Sequence, residues 1–497
     1  MTPSTTAGAA GLIREALEVY AGDPQATAGL HGYARRLAEP LRIAVAGMVK
    51  AGKSTLLNAI IGEEIAPTDT GECTRIVTWY RHGHTPRITL HPATGEPRNL
   101  PLKRVDGRLV FVLDGVQAED VERLDVEWPA PALQAMTLID TPGIASLSQD
   151  VSARSVRFLT PEDSASEADA VIYLMRHLHA SDLRFLESFQ DTGAGRSGTV
   201  NALAVLSRAD EVGAGRIDSL LSAGTIAERY SRDPNLRKLA LGVVPVAGLL
   251  AQSARTLRQP DFEALQLLAT LDRAARERMM LSADRFRRSR EPEGLTEEAR
   301  SSLLARYGLF GIRLAVVLIR NGYPEPTPLA HELARRSGLD PLLDVMERQF
   351  QARAEALKAR TALVAVGNLL ESRPREGSEQ LAASLERLQA NAHEFRELRL
   401  LAALRTTGVD LAPELAAEAE RLIGGHGTAP DLRLGLAGDS SPHLLAAEAR
   451  RCLARWRRVA ESPLTPRSAL EACRVVIRSC EGVLADFAGR DSQARSA

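Results

Sequence analysis

Arg42-Ile43-Ala44-Val45-Ala46-Gly47-Met48-Val49-Lys50-Ala51-Gly52-Lys53-Ser54-Thr55-Leu56-Leu57-Asn58-Ala59-Ile60-Ile61 decides how the rest of the chain is read. Its opening residues, Arg42 to Ala46, form a short apolar run of the kind that builds a buried strand, and Ser54 to Ile61 reads as a helix. Between them stands a complete Gly-x-x-x-x-Gly-Lys-Ser, in the strand-to-helix context that gives the motif its meaning. Gly47 and Gly52 let the backbone wrap a phosphate, and the amides that follow, together with the helix N-terminus, make a nest of donors. Gly47, Lys50, Ala51, Gly52, Lys53, Ser54 and Thr55 are therefore candidate nucleotide contacts, with Lys53 reaching the β- and γ-phosphates and the Ser54 hydroxyl ligating Mg²⁺.

Downstream segments complete the pattern. Asp140-Thr141-Pro142-Gly143 follows a strand ending Leu138-Ile139; Asp140 would hold Mg²⁺ through water, and the Gly143 amide would sense the γ-phosphate. Ala204-Val205-Leu206 runs into Ser207-Arg208-Ala209-Asp210. There Asp210 can accept two hydrogen bonds from the guanine edge, donors that adenine lacks, while the aliphatic stem of Arg208 covers the base. Val244-Pro245-Val246-Ala247-Gly248 suits a last base-contacting loop through Ala247. The hydroxyl-rich segment Pro67 to Arg75 should supply a threonine for Mg²⁺. Thr74 is favoured, with Thr68 and Thr70 as alternatives; Cys73 reads as a small packed residue.

Around this centre the chain alternates strand-like and helical runs to about residue 250, which signals a mostly parallel sheet covered by helices on both faces. Strand-like runs are Arg75 to Tyr80, Arg87 to His91, Leu109 to Leu113, Arg123 to Val126, Met136 to Ile139, Ala170 to Leu174, Ala202 to Leu206 and Val243 to Val246. Residues 12–20 and 25–38 precede the sheet as a helix pair. Long amphipathic helices follow it, over 261–287, 296–320, 329–371, 379–404, 411–423, 443–459 and 466–488, with a break near Gly338 and a glycine-rich loop from Gly424 to Pro442. The expected division is a pair of N-terminal helices (1–40), a nucleotide-binding α/β domain (41–255) and an elongated α-helical half (256–497).

Composition narrows the function. Basic and acidic residues number 62 and 63, and the net charge of −1 speaks against a nucleic-acid partner. Hydrophobic residues at 44% and charged residues at 25% are those of a globular chain. The four cysteines form no CxxC pair, which argues for a reducing cytoplasm and against structural zinc. No segment reads as a signal peptide or membrane span, so a cytoplasmic location, peripheral at the inner face of the cell membrane, is expected.

The blocks AGMVKAGKSTLLNAIIG (46–62), APTDTGECTRIVTW (66–79), DTPG (140–143), LSRADEVGAGRID (206–218), RYGLFGIR (306–313) and SGLDPLLDVMERQFQARAEALKA (337–359) together resemble the bacterial dynamin-like GTPases, in particular their actinobacterial isoniazid-inducible branch. The resemblance implies a GTPase head, a helical neck built from both chain ends, and a trunk whose tip meets membrane. It also implies nucleotide-driven association of heads, and allows pairing with a second dynamin-like protein. Carried over, Lys53, Ser54, Thr74, Asp140, Gly143 and Asp210 keep the roles argued above. The position that in eukaryotic dynamins is a water-orienting Gln is here Val49, and the serine that holds a monovalent cation there is here Lys50. Lysine is scarce in this chain: Lys50, Lys53, Lys103, Lys238 and Lys358 are all there are among 62 basic residues. Two of them in one loop suggest that Lys50 is a charge-compensating finger, as an arginine is at the matching position of guanylate-binding proteins. Lys50, Lys53 and Thr74 are thus the catalytic candidates. Three readings of the whole follow: a membrane-remodelling or tethering GTPase that self-associates, a switch whose helical half binds a protein partner when GTP is bound, or an ATPase if the loose base motif at Ser207 to Asp210 misleads. The run Arg285-Phe286-Arg287-Arg288-Ser289-Arg290, ending a helix that starts near Asp261, reads either as a solvated helix end whose cations suit the dipole or as a contact with anionic lipid far from the head.

Overall fold

The computed structural model describes residues 5–68, 76–105, 107–113, 115–142, 166–189, 201–406 and 408–494. Two helices come first, α1 (Thr5–Val19) and α2 (Pro24–Ala38). Pro24 occupies the first turn of α2, where a missing N–H is no loss, and the Asp23 carboxylate accepts from the Gln25 and Ala26 amides at 3.1 and 3.0 Å.

The strands are β1 (Leu41–Gly47), β2 (Val77–His82), β3 (Arg87–Pro92), β4 (Arg98–Leu100), β5 (Lys103–Val105), β6 (Arg108–Val110), β7 (Val121–Trp128), β8 (Met136–Asp140), β9 (Ala170–Met175), β10 (Ala202–Ser207) and β11 (Val243–Val246). Nine of these described strands make one sheet in the order β11-β10-β9-β1-β8-β2-β7-β3-β4. From β11 to β8 all pairs are parallel; β2 is antiparallel to β8, and β3 is antiparallel to both neighbours. In β1, Leu41, Ile43 and Val45 face one core with the helix α3 (Lys53–Ile61), and Ala44 and Ala46 face the other with Phe185 and Leu186. Both faces are therefore dry, which is why the central strands are apolar without alternation. The expected mostly parallel sheet between helical layers is the observed fold. Leu109 to Leu113 departs from expectation, because β6 ends at Val110 and pairs only with β5, outside the main sheet. Leu109, Phe111 and Leu113 are nevertheless buried against it.

The helical half is more broken than its periodicity suggests. The stretch 261–287 is three helices, Gln259–Thr270, Arg273–Met279 and Ala283–Arg288, because Asp272 and Ser282 each cap a new helix with a side-chain acceptor. Phe286 is fully buried and shares a core with Leu206, Ala209 and Ala247 of the sheet domain. The cluster Arg285 to Arg290 is thus packed against the head and not held far from it, and its aromatic is unavailable to lipid. The stretch 329–371 breaks at Gly338 and again at the short turn Gln351–Arg353, giving Leu339–Gln349 and Ala354–Ser372. Among the described residues, Glu297–Arg320 is the helix long and apolar enough to cross a membrane by length and composition, and 56% of its most apolar window is buried inside the protein.

A separate core joins the chain's two ends. Leu12, Ile13 and Ala16 of α1 and Leu30 of α2 pack with Leu363, Val366, Leu398, Trp456 and Val476 of the C-terminal helices. Asp169, at the foot of β9, ties this bundle to the sheet. Its carboxylate takes hydrogen bonds from the Arg36 guanidinium (2.8 Å), the Arg42 amide (2.9 Å) and the Thr361 hydroxyl (3.1 Å).

Within the bundle, Glu397 accepts from Arg433 (2.5 and 3.1 Å) and from the Ser479 hydroxyl (2.6 Å), and lies 3.3 Å from His393. Burial alone would raise its pKa; His393, Arg433 and Ser479 outweigh that and hold it at about 2, against an ordinary 4.5. A depressed carboxyl stabilises the fold fully above its unfolded value and loses that contribution as pH falls through the folded one. Glu397→Gln should cost about 3 kcal/mol near neutral pH by leaving Arg433 unpaired. Thermal unfolding of parent and variant should converge as pH drops from 4.5 towards 2; a gap that ignores pH would contradict this.

A candidate nucleotide site at the strand ends

β1, β9 and β10 are adjacent and parallel, so the loops that leave their C-terminal ends converge. In α/β sheets this edge is where ligands bind. The loop after β1 begins at Gly47 (φ 145°), where a Cβ would lie 2.4 Å from the Leu174 carbonyl oxygen on β9; no other residue fits so close to that strand. It ends at Gly52 (φ 95°), the cap residue of α3, whose first amides stay free to donate to an anion.

Lys53 starts α3, and its ammonium donates inward to the Gly47 and Met48 carbonyls at 3.2 and 3.3 Å. Burial lowers its pKa, and the Asp140 charge pulls it back up. Asp140 ends β8 in register with Val45 of β1, which brings its carboxylate 2.8 Å from the Ser54 hydroxyl that donates to it. Burial pushes the Asp140 carboxyl up to about 6, against the opposing pull of Lys53 and Ser54. The Thr141 hydroxyl donates to the Val45 carbonyl at 2.9 Å and fastens the start of the DTPG turn to β1. Lys53, Ser54 and Asp140 are thus brought together. Thr74, its alternative Thr70, Cys73 and Gly143 lie outside the described residues, and Thr68 is exposed.

Beside the loop lies a cavity of about 170 Å³, whose walls include Ala51, Gly52, Thr55, Ser207, Arg208 and Asp210. Burial is the chief influence on Asp210 and raises its pKa, with Arg208 pulling the other way. The Ser207 hydroxyl donates to the Met175 carbonyl at 3.2 Å, binding the end of β10 to the end of β9. Ala247 lies beside this cavity in the chain. Its amide donates to the Ser337 carbonyl at 2.8 Å and its methyl is buried, and its neighbours Val246 and Gly248 line the cavity. Two residues went unnoticed in the sequence. Glu211 lines the cavity and accepts from Arg208 at 2.6 Å. Arg176, immediately after β9, reaches the phosphate loop. A charge directly following a buried strand was the available signal for Arg176.

Lys50 is exposed, and its backbone is left-handed at φ 63°. Its carbonyl accepts from Arg208 at 3.1 Å. The arrangement can hold a triphosphate on backbone amides, a divalent cation between Ser54 and Asp140, and a base against Asp210.

Comparison with known proteins bears on the family. Residues 43–201 match the Dynamin family. The isoniazid-induced protein IniC of Mycobacterium tuberculosis (strain H37Rv) is 42% identical over 458 residues, 92% of each chain. A bacterial dynamin-like protein of Nostoc punctiforme is 30% identical over 164 residues, 30% of this chain and 22% of that one. A solved bacterial dynamin, described as an oligomerised pair in long-range sensing and tethering of membranes, aligns with 98% of this chain and 74% of its own at TM-score 0.30 and 12% identity. The near full-length kinship to IniC, joined to a dynamin match that spans the phosphate loop, places the chain in the IniC family of bacterial dynamin-like GTPases.

Proposed function

We propose that this GTPase converts GTP to GDP and phosphate to drive association of its heads, and through that association remodels or tethers the inner face of the cell membrane. The observation that carries the nucleotide half is the convergence of Lys53, Ser54 and Asp140 beside a cavity walled by Arg208 and Asp210. The roles follow from chemistry. Amides of the loop from Gly47 to Thr55, apart from that of Ala51, which donates to the Met48 carbonyl, cradle the phosphates, Lys53 leaves the loop carbonyls for the β- and γ-phosphates, and Asp210 accepts from the guanine edge, with Ser207 and Arg208 shaping that wall. Gly143 and Thr74 serve the γ-phosphate and the metal.

The donor set fits Mg²⁺: a hydroxyl and a buried carboxylate 2.8 Å apart, the latter opposed by burial, are groups that a hard divalent cation stabilises. Ser54, Asp140 and Thr74 would hold it, Asp140 through water, and it supplies neutralisation of charge on the β- and γ-phosphate oxygens. For the membrane half, Arg285, Arg287, Arg288 and Arg290 are exposed beside Leu281, itself 64% exposed. Cations near an anionic surface contribute about 1 kcal/mol each.

Base selectivity tests the nucleotide reading. Asp210→Asn leaves guanine donors unpaired at a loss of about 1–3 kcal/mol, so GTP affinity should fall roughly tenfold or more. Equal affinity of the parent for GTP and ATP would refute it.

The exposed Lys50 side chain suits a finger at the bridging oxygen between the β- and γ-phosphates, where charge grows during transfer. Lys50→Ala should lower kcat at least about tenfold with KM nearly unchanged, the mark of an interaction made in the transition state. A parental kcat under dimerising conditions would remove Lys50 from the mechanism.

A further inference from the structure

Among the described residues, Lys50 and Arg208 are the two non-glycine positions with positive φ, at 63° and 53°. Left-handed backbone is unfavourable for such residues and persists where surrounding contacts hold it. Here the two strained positions are joined, since the Arg208 guanidinium donates to the Lys50 carbonyl at 3.1 Å. A second guanidinium reaches the same oxygen from the other strand end: Arg176 Nη2 donates to it at 3.4 Å. The Lys50 carbonyl thus receives one cation from the loop after β9 and one from the loop after β10. The two loops are themselves tied by the Ser207 hydroxyl on the Met175 carbonyl.

We propose that Arg176 is a positioning residue for nucleotide binding: with Arg208 it clamps the Lys50 carbonyl and so holds the turn, closed by the Ala51 amide on the Met48 carbonyl, from which the phosphate loop enters α3. This rests on the nucleotide reading above and deepens it. Turning a peptide so that its carbonyl meets Arg176 and Arg208 turns the linked amide of Ala51 the opposite way, because the peptide unit is planar. Ala51 lines the nucleotide cavity and its amide turns back on the Met48 carbonyl at 3.1 Å, inside the loop. Arg208 has competing duties, as it also pairs with Glu211 and walls the base cavity. Arg176 has none of these, and it is exposed. It therefore tunes the loop without forming the pocket or the core.

A clamp set before the nucleotide arrives contributes equally to ground and transition states, so its loss raises KM and leaves kcat alone. The full chain carrying Arg176→Ala should show a KM for GTP, and a Kd for GDP by equilibrium dialysis, raised about five- to tenfold, the worth of one solvent-exposed hydrogen bond. Its kcat should stay within about twofold. The preference for GTP over ATP should be unchanged, in contrast to Asp210→Asn, and Arg176→Lys should recover part of the loss. The unfolding midpoint of Arg176→Ala should match the parent, which separates positioning from a structural role. A parent that binds GTP and an Arg176→Ala protein that binds it equally well would overturn the clamp while sparing the nucleotide reading. A parent that binds no guanine nucleotide would overturn both.

Discussion

Lys53→Ala is expected to lose at least about 100-fold in GTP turnover, the effect of deleting one preorganised charge from a site where negative charge develops. The structure explains why no neighbour substitutes. Lys53 is the cation set between the loop carbonyls and Asp140, held by Gly47 and Met48 at 3.2 and 3.3 Å. Lys50, the other loop lysine, is exposed at the rim. Removing Lys53 also strips Asp140 of an opposing charge, so its carboxyl, already pushed up to about 6 by burial, should rise further. Single-turnover hydrolysis with saturating GTP and Mg²⁺ is the check. A variant within fivefold of the parent would show that the ammonium serves the loop carbonyls and not the phosphates.

Arg306→Met carries the largest expected loss of stability. Arg306 is 5% exposed and sits between two buried carboxylates. It donates to Asp261 at 2.8 Å, to Glu64 in a short hydrogen bond, and to the Thr256 carbonyl at 2.6 Å. Glu64 follows α3, Asp261 lies in Gln259–Thr270 and Arg306 in Glu297–Arg320, so one guanidinium joins the phosphate-loop helix to two helices beyond the sheet. Methionine keeps the bulk but strands the buried Asp261 carboxylate without its guanidinium, while Glu64 keeps Arg108 and Arg258 at 3.2 and 3.3 Å; removing one partner of a buried pair is a loss of about 3–5 kcal/mol. Adding Asp261→Asn should restore at least about 1 kcal/mol, because part of that loss is the stranded charge. Denaturant midpoints at constant m would measure both; a single-variant loss below about 1 kcal/mol would mean the network is solvated.

How much of this was legible in the sequence depends on whether the determinant is local. The loop from Gly47 to Ser54 is short-range chemistry, in which glycine spacing, strand and helix all lie within one segment. The same holds for Asp140, the last residue of an apolar strand, and for Asp210, in the short segment that follows another. Helix boundaries were less legible. Asp272 and Ser282 are capping residues by type, yet strong helix formers on either side hide the breaks. Tertiary partners were not legible at all. Nothing near Ala247 announces that Ser337 will take its amide, and nothing near Phe286 shows that it will share a core with Leu206. The joint at Asp169 unites residues from α2, β1 and Ala354–Ser372, which only the folded chain brings together.

The central claim is that hydrolysis is coupled to association of heads on a membrane. GTP turnover per molecule, measured across a range of protein concentrations with and without anionic liposomes, tests it most directly. Coupled association predicts specific activity that climbs with concentration and climbs further when liposomes are added. Specific activity that stays flat with concentration and is indifferent to lipid would contradict the account and leave a nucleotide-dependent switch with a protein partner in its place.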